Sequence, residues 1–140
     1  MNQRLSLVTL GVRDLNKARS FYESLGWHPS PASCEQVCFF QTGSMAIALY
    51  PMDALLGDSG KKGTVPVAGG ITLGINVPLR EDVDRELGTV LSRGATLLQQ
   101  AADTPWGGRT AYFADLDGHP WEITWAPMFP LGPKGELLLP

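Results

Sequence analysis

Apolar residues alternate with small or polar ones along several short stretches of this chain, and along two others they recur at helical spacing. Leu5 to Val12 reads as a strand: Val8, Leu10 and Val12 share one face, Thr9 and Gly11 the other. Leu15, Ala18, Phe21, Tyr22 and Leu25 then follow at helical spacing, with Asp14 placed to cap that helix and Gly26 to stop it. Trp27 to Pro31 starts a short strand, Glu35 to Gln41 is a third, Gly43-Ser44 a turn, and Met45 to Tyr50 a fourth. In the fourth, Met45, Ile47 and Leu49 oppose Ala46 and Ala48. Pro51 to Gly69 is polar and rich in Gly and Asp, a long connection with at most a helical turn near Ala54 to Leu56. Connections of this length are usually linkers or functional lids.

The second half repeats the plan. Ile71 to Val77 is a strand with Ile71, Leu73, Ile75 and Val77 opposing Thr72, Gly74 and Asn76. Pro78 opens a helix whose apolar stripe is Val83, Leu87, Val90 and Leu91, and Gly94 ends it. Thr96 to Ala101 is the next strand. Arg109 to Ala114 and Trp121 to Trp125 form a hairpin around Asp115-Leu116-Asp117-Gly118, because Gly accepts positive φ and Asp bonds its own backbone. In its last strand Trp121, Ile123 and Trp125 oppose Glu122 and Thr124. Thr9-Leu10-Gly11-Val12 recurs as Thr72-Leu73-Gly74-Ile75, each copy leading into a helix closed by Gly. This order predicts an α+β fold, two tandem βαβββ modules forming a curled mixed sheet around a cleft. One domain is expected, with module one at about 1–51, the connection at 52–69, module two at about 70–126 and a tail at 127–140.

The face pattern carries the functional expectation. Bulky faces pack under the helices, whereas small faces cannot fill space, so a curled sheet leaves a concavity there. A flat sheet would leave that face in water. The cleft is expected to be lined by Thr9, Ala46, Ala48, Thr72 and Thr124. Tyr50 and Trp106 stand near its rim, since each combines apolar area with a polar tip. Trp106 lies in Thr-Pro-Trp-Gly-Gly, a loop able to fold over the opening. Glu122 is a carboxylate inside an apolar run and must be paired, exposed or used. It could accept a hydrogen bond from a ligand, act as a general base, pair with Arg109 or another neighbour, or be held by structural hydrogen bonds.

Composition narrows the class. The 140 residues leave room for a real core, at 44% hydrophobic and 18% charged. A net charge of −3 without a basic run argues against nucleic acid. No segment has the length of a membrane span and MNQRLSLV has no signal-peptide core, so a cytoplasmic protein is expected. Cys34 and Cys38, four residues apart on an expected strand, are read as free thiols. His28 follows the first helix, and His119 is expected at the surface of the hairpin turn. The tail carries Pro127, Pro130, Pro133 and Pro140 with Leu137-Leu138-Leu139, and reads as an extended segment docked on the same chain or a partner.

VTLGVRDLNKARSFYESLGW resembles the opening of the vicinal oxygen chelate superfamily, which includes glyoxalase I, ring-cleaving dioxygenases, fosfomycin-resistance enzymes and bleomycin-binding proteins. GGRTAYFADLDGHPWEITW is similar to its second-half hairpin. The resemblance implies paired βαβββ modules around a cleft, commonly in a homodimer. It places the metal ligands of the family's enzymes at Leu7, Ala46, Thr72 and Glu122. Leu and Ala offer no donor atom, so no metal and no other cofactor is expected. Two classes of function remain: a metal-free binder of a small, partly aromatic molecule, or a lyase or dioxygenase-type enzyme using Glu122 as metal ligand or general base.

Overall fold

Val8, Leu10 and Val12 begin the first sheet because, along extended backbone, they all point to the side where a helix can cover them. The computed structural model describes residues 6–58 and 71–138, which fall in two compact units, Met1–Pro66 and Val67–Pro140. The first holds β1 (Leu7–Val12), α1 (Leu15–Ser24), β2 (Cys38–Thr42), β3 (Met45–Pro51) and α2 (Met52–Asp58). Its sheet order is β1-β3-β2, with β3 parallel to β1 and antiparallel to β2. The register aligns Leu10 with Leu49 and Leu49 with Cys38, so one face is apolar throughout. Against it α1 turns Ala18, Phe21 and Tyr22, all buried. Tyr22, Trp27 and Phe40 form an aromatic cluster with ring centroids 5.1–5.8 Å apart. Asp14 caps α1 by accepting the Lys17 N–H at 3.0 Å.

The structure departs from the sequence expectation at three places in this unit. Trp27 to Pro31 forms no strand, only a single bridge between Pro29 and Phe40. The next strand begins at Cys38, because Ser30 to Val37 closes on itself: Ser33 N–H donates to Ser30 O, Cys34 N–H to Val37 O, and the Ser33 hydroxyl accepts the Phe39 N–H. Cys34 is therefore exposed in a turn, while Cys38 is buried, and both are free. Burial pushes the Cys38 thiol above its ordinary pKa. The connection begins as the helix α2, whose Met52 and Leu55 lie against Gly11. Residues 59–69 of that connection lie outside the described residues.

The second unit holds β4 (Leu73–Asn76), α3 (Asp82–Ser92), β5 (Thr96–Asp103), β6 (Arg109–Ala114) and β7 (Pro120–Trp125), in sheet order β4-β7-β6-β5. β4 runs parallel to β7, and β7-β6-β5 are antiparallel. Val83, Leu87 and Val90 of α3 are buried with Ala111, Phe113, Trp121 and Ile123, and α3 packs on β5, β6 and β7. Because β4 is an edge strand outside that contact, Ile75 stays 37% exposed and Ile71, before the strand, 74%. The bulky face expected on Ile71–Val77 is thus not covered along its length. Pro78 does not open the helix. α3 starts at Asp82, whose carboxylate accepts the Leu79 N–H and closes the intervening turn. The tail also differs from a plain extended segment: Leu131 pairs with Leu137 across a turn at Gly132–Gly135.

The α+β class is therefore seen with mixed sheets of three and four strands, and β1-β3-β2 has the same topology as β4-β7-β6. Register locates the repeat better than its letters do. Leu7 lies beside Ala46, and Gly74 beside Glu122. With Ala46 and Glu122 as equivalents, Leu7 corresponds to Gly74, and the helix caps Asp14 and Glu81 then fall equally far along the chain. Thr9 accordingly corresponds to Asn76, not to Thr72, and the shared Thr-Leu-Gly letters are out of step.

Candidate functional site

The face of the second sheet turned away from α3 gathers the polar residues. β7 supplies Glu122 and Thr124, β6 the directly opposite Tyr112 and Thr110, and β4 Gly74 and Asn76. Glu122 and Tyr112 are both half-buried. The Tyr112 hydroxyl donates to Glu122 Oε1 at 2.8 Å. On the other side of Glu122 there is room, for a Cβ built on Gly74 would meet nothing within 4 Å among the described residues. Thr124 is 9% exposed, and its buried hydroxyl has no hydrogen-bond partner among them. Glu122 is therefore a carboxylate fixed at one oxygen, beside open space, next to a buried hydroxyl.

Tyr112 is a residue of this candidate site that the sequence reading missed. The signal was present: counting back across the Asp115–Gly118 turn sets Tyr112 opposite Glu122. Its phenol is pushed above the ordinary tyrosine pKa, first by the hydrogen bond to Glu122, then by burial and the Glu122 charge. A raised phenol pKa means the folded state holds the proton more tightly. The stabilisation is complete below the unfolded tyrosine value and is lost as pH rises through the higher folded one. Alkaline titration followed by phenolate absorbance should show Tyr112 ionising later than an unfolded tyrosine, with E122Q moving it back down. A Y112F difference spectrum isolates its signal from those of Tyr22 and Tyr50.

Arg109 is not a partner of Glu122. It points to the α3 side, where Nε and Nη2 bond Asp84 at 2.7 and 2.8 Å and Nη1 bonds Asp103 at 3.0 Å. Arg80 completes the cluster on Asp103 at 2.6 Å. These guanidiniums hold both carboxylates below their usual range, Asp84 through Arg109 and Asp103 first through Arg80. The support they give is present above the ordinary Asp value and is lost as pH falls through the lowered ones. His119 is not a plain surface residue either. Its side chain is 21% exposed, and Nδ1 lies 2.8 Å from the buried Asp115 carboxylate.

Of the other expected site residues, Thr9, Ala46, Ala48 and Tyr50 belong to the first unit, and Thr72 and Trp106 to the second. Thr9, Ala46 and Ala48 share the face of the first sheet opposite α1, Thr9 directly beside Ala48. Ala48 is only 1% exposed, so that position is filled. Tyr50 lies at the end of that face covered by α2, and its hydroxyl donates to Asp58 at 3.1 Å. Thr72 is exposed and precedes β4, so it is not beside Glu122. The Trp106 ring rests on Gly108 within its own loop and stays 47% exposed.

The donor chemistry at the family's metal positions does not fit a metal. Leu7 and Ala46 have no side-chain donor atom, register puts Gly74 rather than Thr72 beside Glu122, and one carboxylate alone does not make a site. Among the described residues no group of three or more His, Cys, Asp or Glu is placed to hold an ion, and no helix is long and apolar enough to cross a membrane.

Comparison with known proteins accords with this fold. The family model for the Glyoxalase/Bleomycin resistance protein/Dioxygenase superfamily matches residues 4–123. A glyoxalase-related enzyme from Fulvimarina pelagi is 31% identical with a TM-score of 0.90, covering 99% of each chain. TioX from Micromonospora sp. ML1 is 26% identical with a TM-score of 0.61, over 86% of this chain and 96% of its own. A lactoylglutathione lyase from Agrobacterium tumefaciens, 17% identical with a TM-score of 0.67 over 90% and 96%, shares the fold. None of the curated proteins compared matches. The chain belongs to the glyoxalase/bleomycin resistance protein/dioxygenase superfamily.

Proposed function

We propose that this protein binds a small, partly aromatic molecule without a metal, at the polar face of its second sheet. The observation that carries the reading is Glu122, held by Tyr112 on one side and beside open room at Gly74 on the other. A carboxylate so placed offers one oxygen to a ligand donor, and hydrogen bonds to charged groups contribute about 1.5–3 kcal/mol. The missing donors at Leu7, Ala46 and Gly74 support the metal-free part. Thermal shift against a panel of small aromatic compounds tests the reading, because binding to the folded state raises its apparent stability. E122Q should keep the fold and weaken about tenfold or more any hit that carries a cationic donor. Stoichiometric Zn, Ni, Fe or Mn, removed by chelator with loss of binding, would overturn it.

The name of the Fulvimarina relative favours a second reading, an enzyme of lyase or dioxygenase type with Glu122 as general base. Turnover of a bound compound, abolished in E122Q, distinguishes it from binding alone. We also propose a homodimer in the cytoplasm. The edge strand β5 is exposed over most of its length, Leu97 and Leu98 included, and proteins usually cover such edges. Sedimentation should give twice the chain mass at micromolar concentration.

A further inference from the structure

We propose that the space over Gly74 seats a cationic hydrogen-bond donor of the ligand, an amidinium or ammonium group, on Glu122 Oε2. This rests on the binding reading above and adds the chemical class of the ligand.

Two independent observations converge on that spot. Tyr112 donates to Oε1 at 2.8 Å, which fixes the carboxylate plane and leaves Oε2 with no hydrogen-bond partner among the described residues. Gly74, beside Glu122 in the parallel pair β4–β7, presents no side chain, and nothing stands within 4 Å of where its Cβ would be. The sign of the charge follows from the surroundings: the acceptor is a carboxylate, its phenol neighbour already donates, and Arg109 is engaged on the opposite face. Among the described residues no cation pairs with Glu122 to receive an anion. Tyr112 is a positioning residue here, acting on the ligand through Glu122.

The test is calorimetric titration of the full chain with three probes matched in shape, para-hydroxybenzamidine, para-hydroxybenzyl alcohol and para-hydroxybenzoate. The amidine should bind tightest and the benzoate weakest. E122Q should weaken the amidine at least tenfold while leaving the alcohol within twofold. Y112F should weaken the amidine several-fold with the alcohol again unmoved, a split that a general disturbance of the sheet would not give. G74V should abolish binding of every probe with an unchanged or higher melting temperature, because Val suits a strand where Gly weakens it. If G74V fails to fold, G74A and the isosteric E122Q carry the same decision. Benzoate binding as tightly as the amidine, or amidine binding untouched by E122Q, overturns the cation seat and leaves small-molecule binding standing. Failure of all three probes overturns both.

Discussion

Replacing Phe40 with Ala should cost about 3–5 kcal/mol, the range for truncating a buried aromatic side chain. Phe40 is 1% exposed. Its ring meets Tyr22 at 5.8 Å and Trp27 at 5.5 Å, the latter edge-to-face, so both α1 and the segment after it lose a partner. The cavity would open on the first sheet's apolar face, beside Ile47, which Phe40 pairs with in register. Little relaxation is available there, because Leu49 and Cys38 next to it are as deeply buried. Denaturant titration with an unchanged slope should show a lower midpoint. Phe39→Ala, on the other face and half-buried, is the control and should cost clearly less. Equal costs for the two would mean that the faces are assigned wrongly.

Gly108→Ala should cost about 1–3 kcal/mol, as overpacking does, and should lift Trp106 from its seat. The added methyl would fall on the Trp106 ring and within 2.6 Å of the Trp125 carbonyl oxygen. The ring can swing away, being partly exposed, but the carbonyl belongs to β7 and cannot. The loop has little slack, since Thr104 N–H donates to Gly108 O and the Thr104 hydroxyl accepts the Gly108 N–H. Tryptophan emission should shift to longer wavelength in Gly108→Ala as the indole enters water. An unchanged spectrum together with unchanged stability would show that the loop yields. A related expectation concerns Ala48, which is buried: Ala48→Phe should destabilise the first unit rather than fill an empty space.

The strand pattern made the two modules legible. Leu10 with Val12, Ile47 with Leu49 and Trp121 with Ile123 are each buried in the structure as period-two alternation requires. Asp14 as a cap was readable because a helix start needs a side-chain acceptor. What stayed hidden depended on partners distant in the chain. Arg109 looked available to Glu122, yet the two point to opposite faces and Asp84, far upstream, takes the guanidinium. α2 was masked by its own letters, a short run with Gly57 inside it, whose support is the contact with Gly11. Ile75 looked like core because alternation gives the face of a residue but not how far a helix reaches across the sheet. Thr72 was placed beside Glu122 from similar letters, whereas hydrogen-bond register put Gly74 there. That single shift turned an expected polar neighbour into open room.

In both units the strand made last is the one in the middle: β3 joins β1 to β2, and β7 joins β4 to β6. In the first unit a chain emerging from the ribosome thus cannot form its sheet progressively, because β1 and β2 have no strand partner until β3 arrives, whereas in the second β5 and β6 pair first and only β4 waits for β7. Loop-closure entropy must be met over nearly a whole unit before the parallel pair forms, so folding should be slow for a chain of this size. Until then, Val8, Leu10 and Phe40 are exposed on unpaired backbone. Ribosome stalling just before β3 would therefore leave two sticky segments at once, which makes this the point of synthesis where a chaperone is most needed.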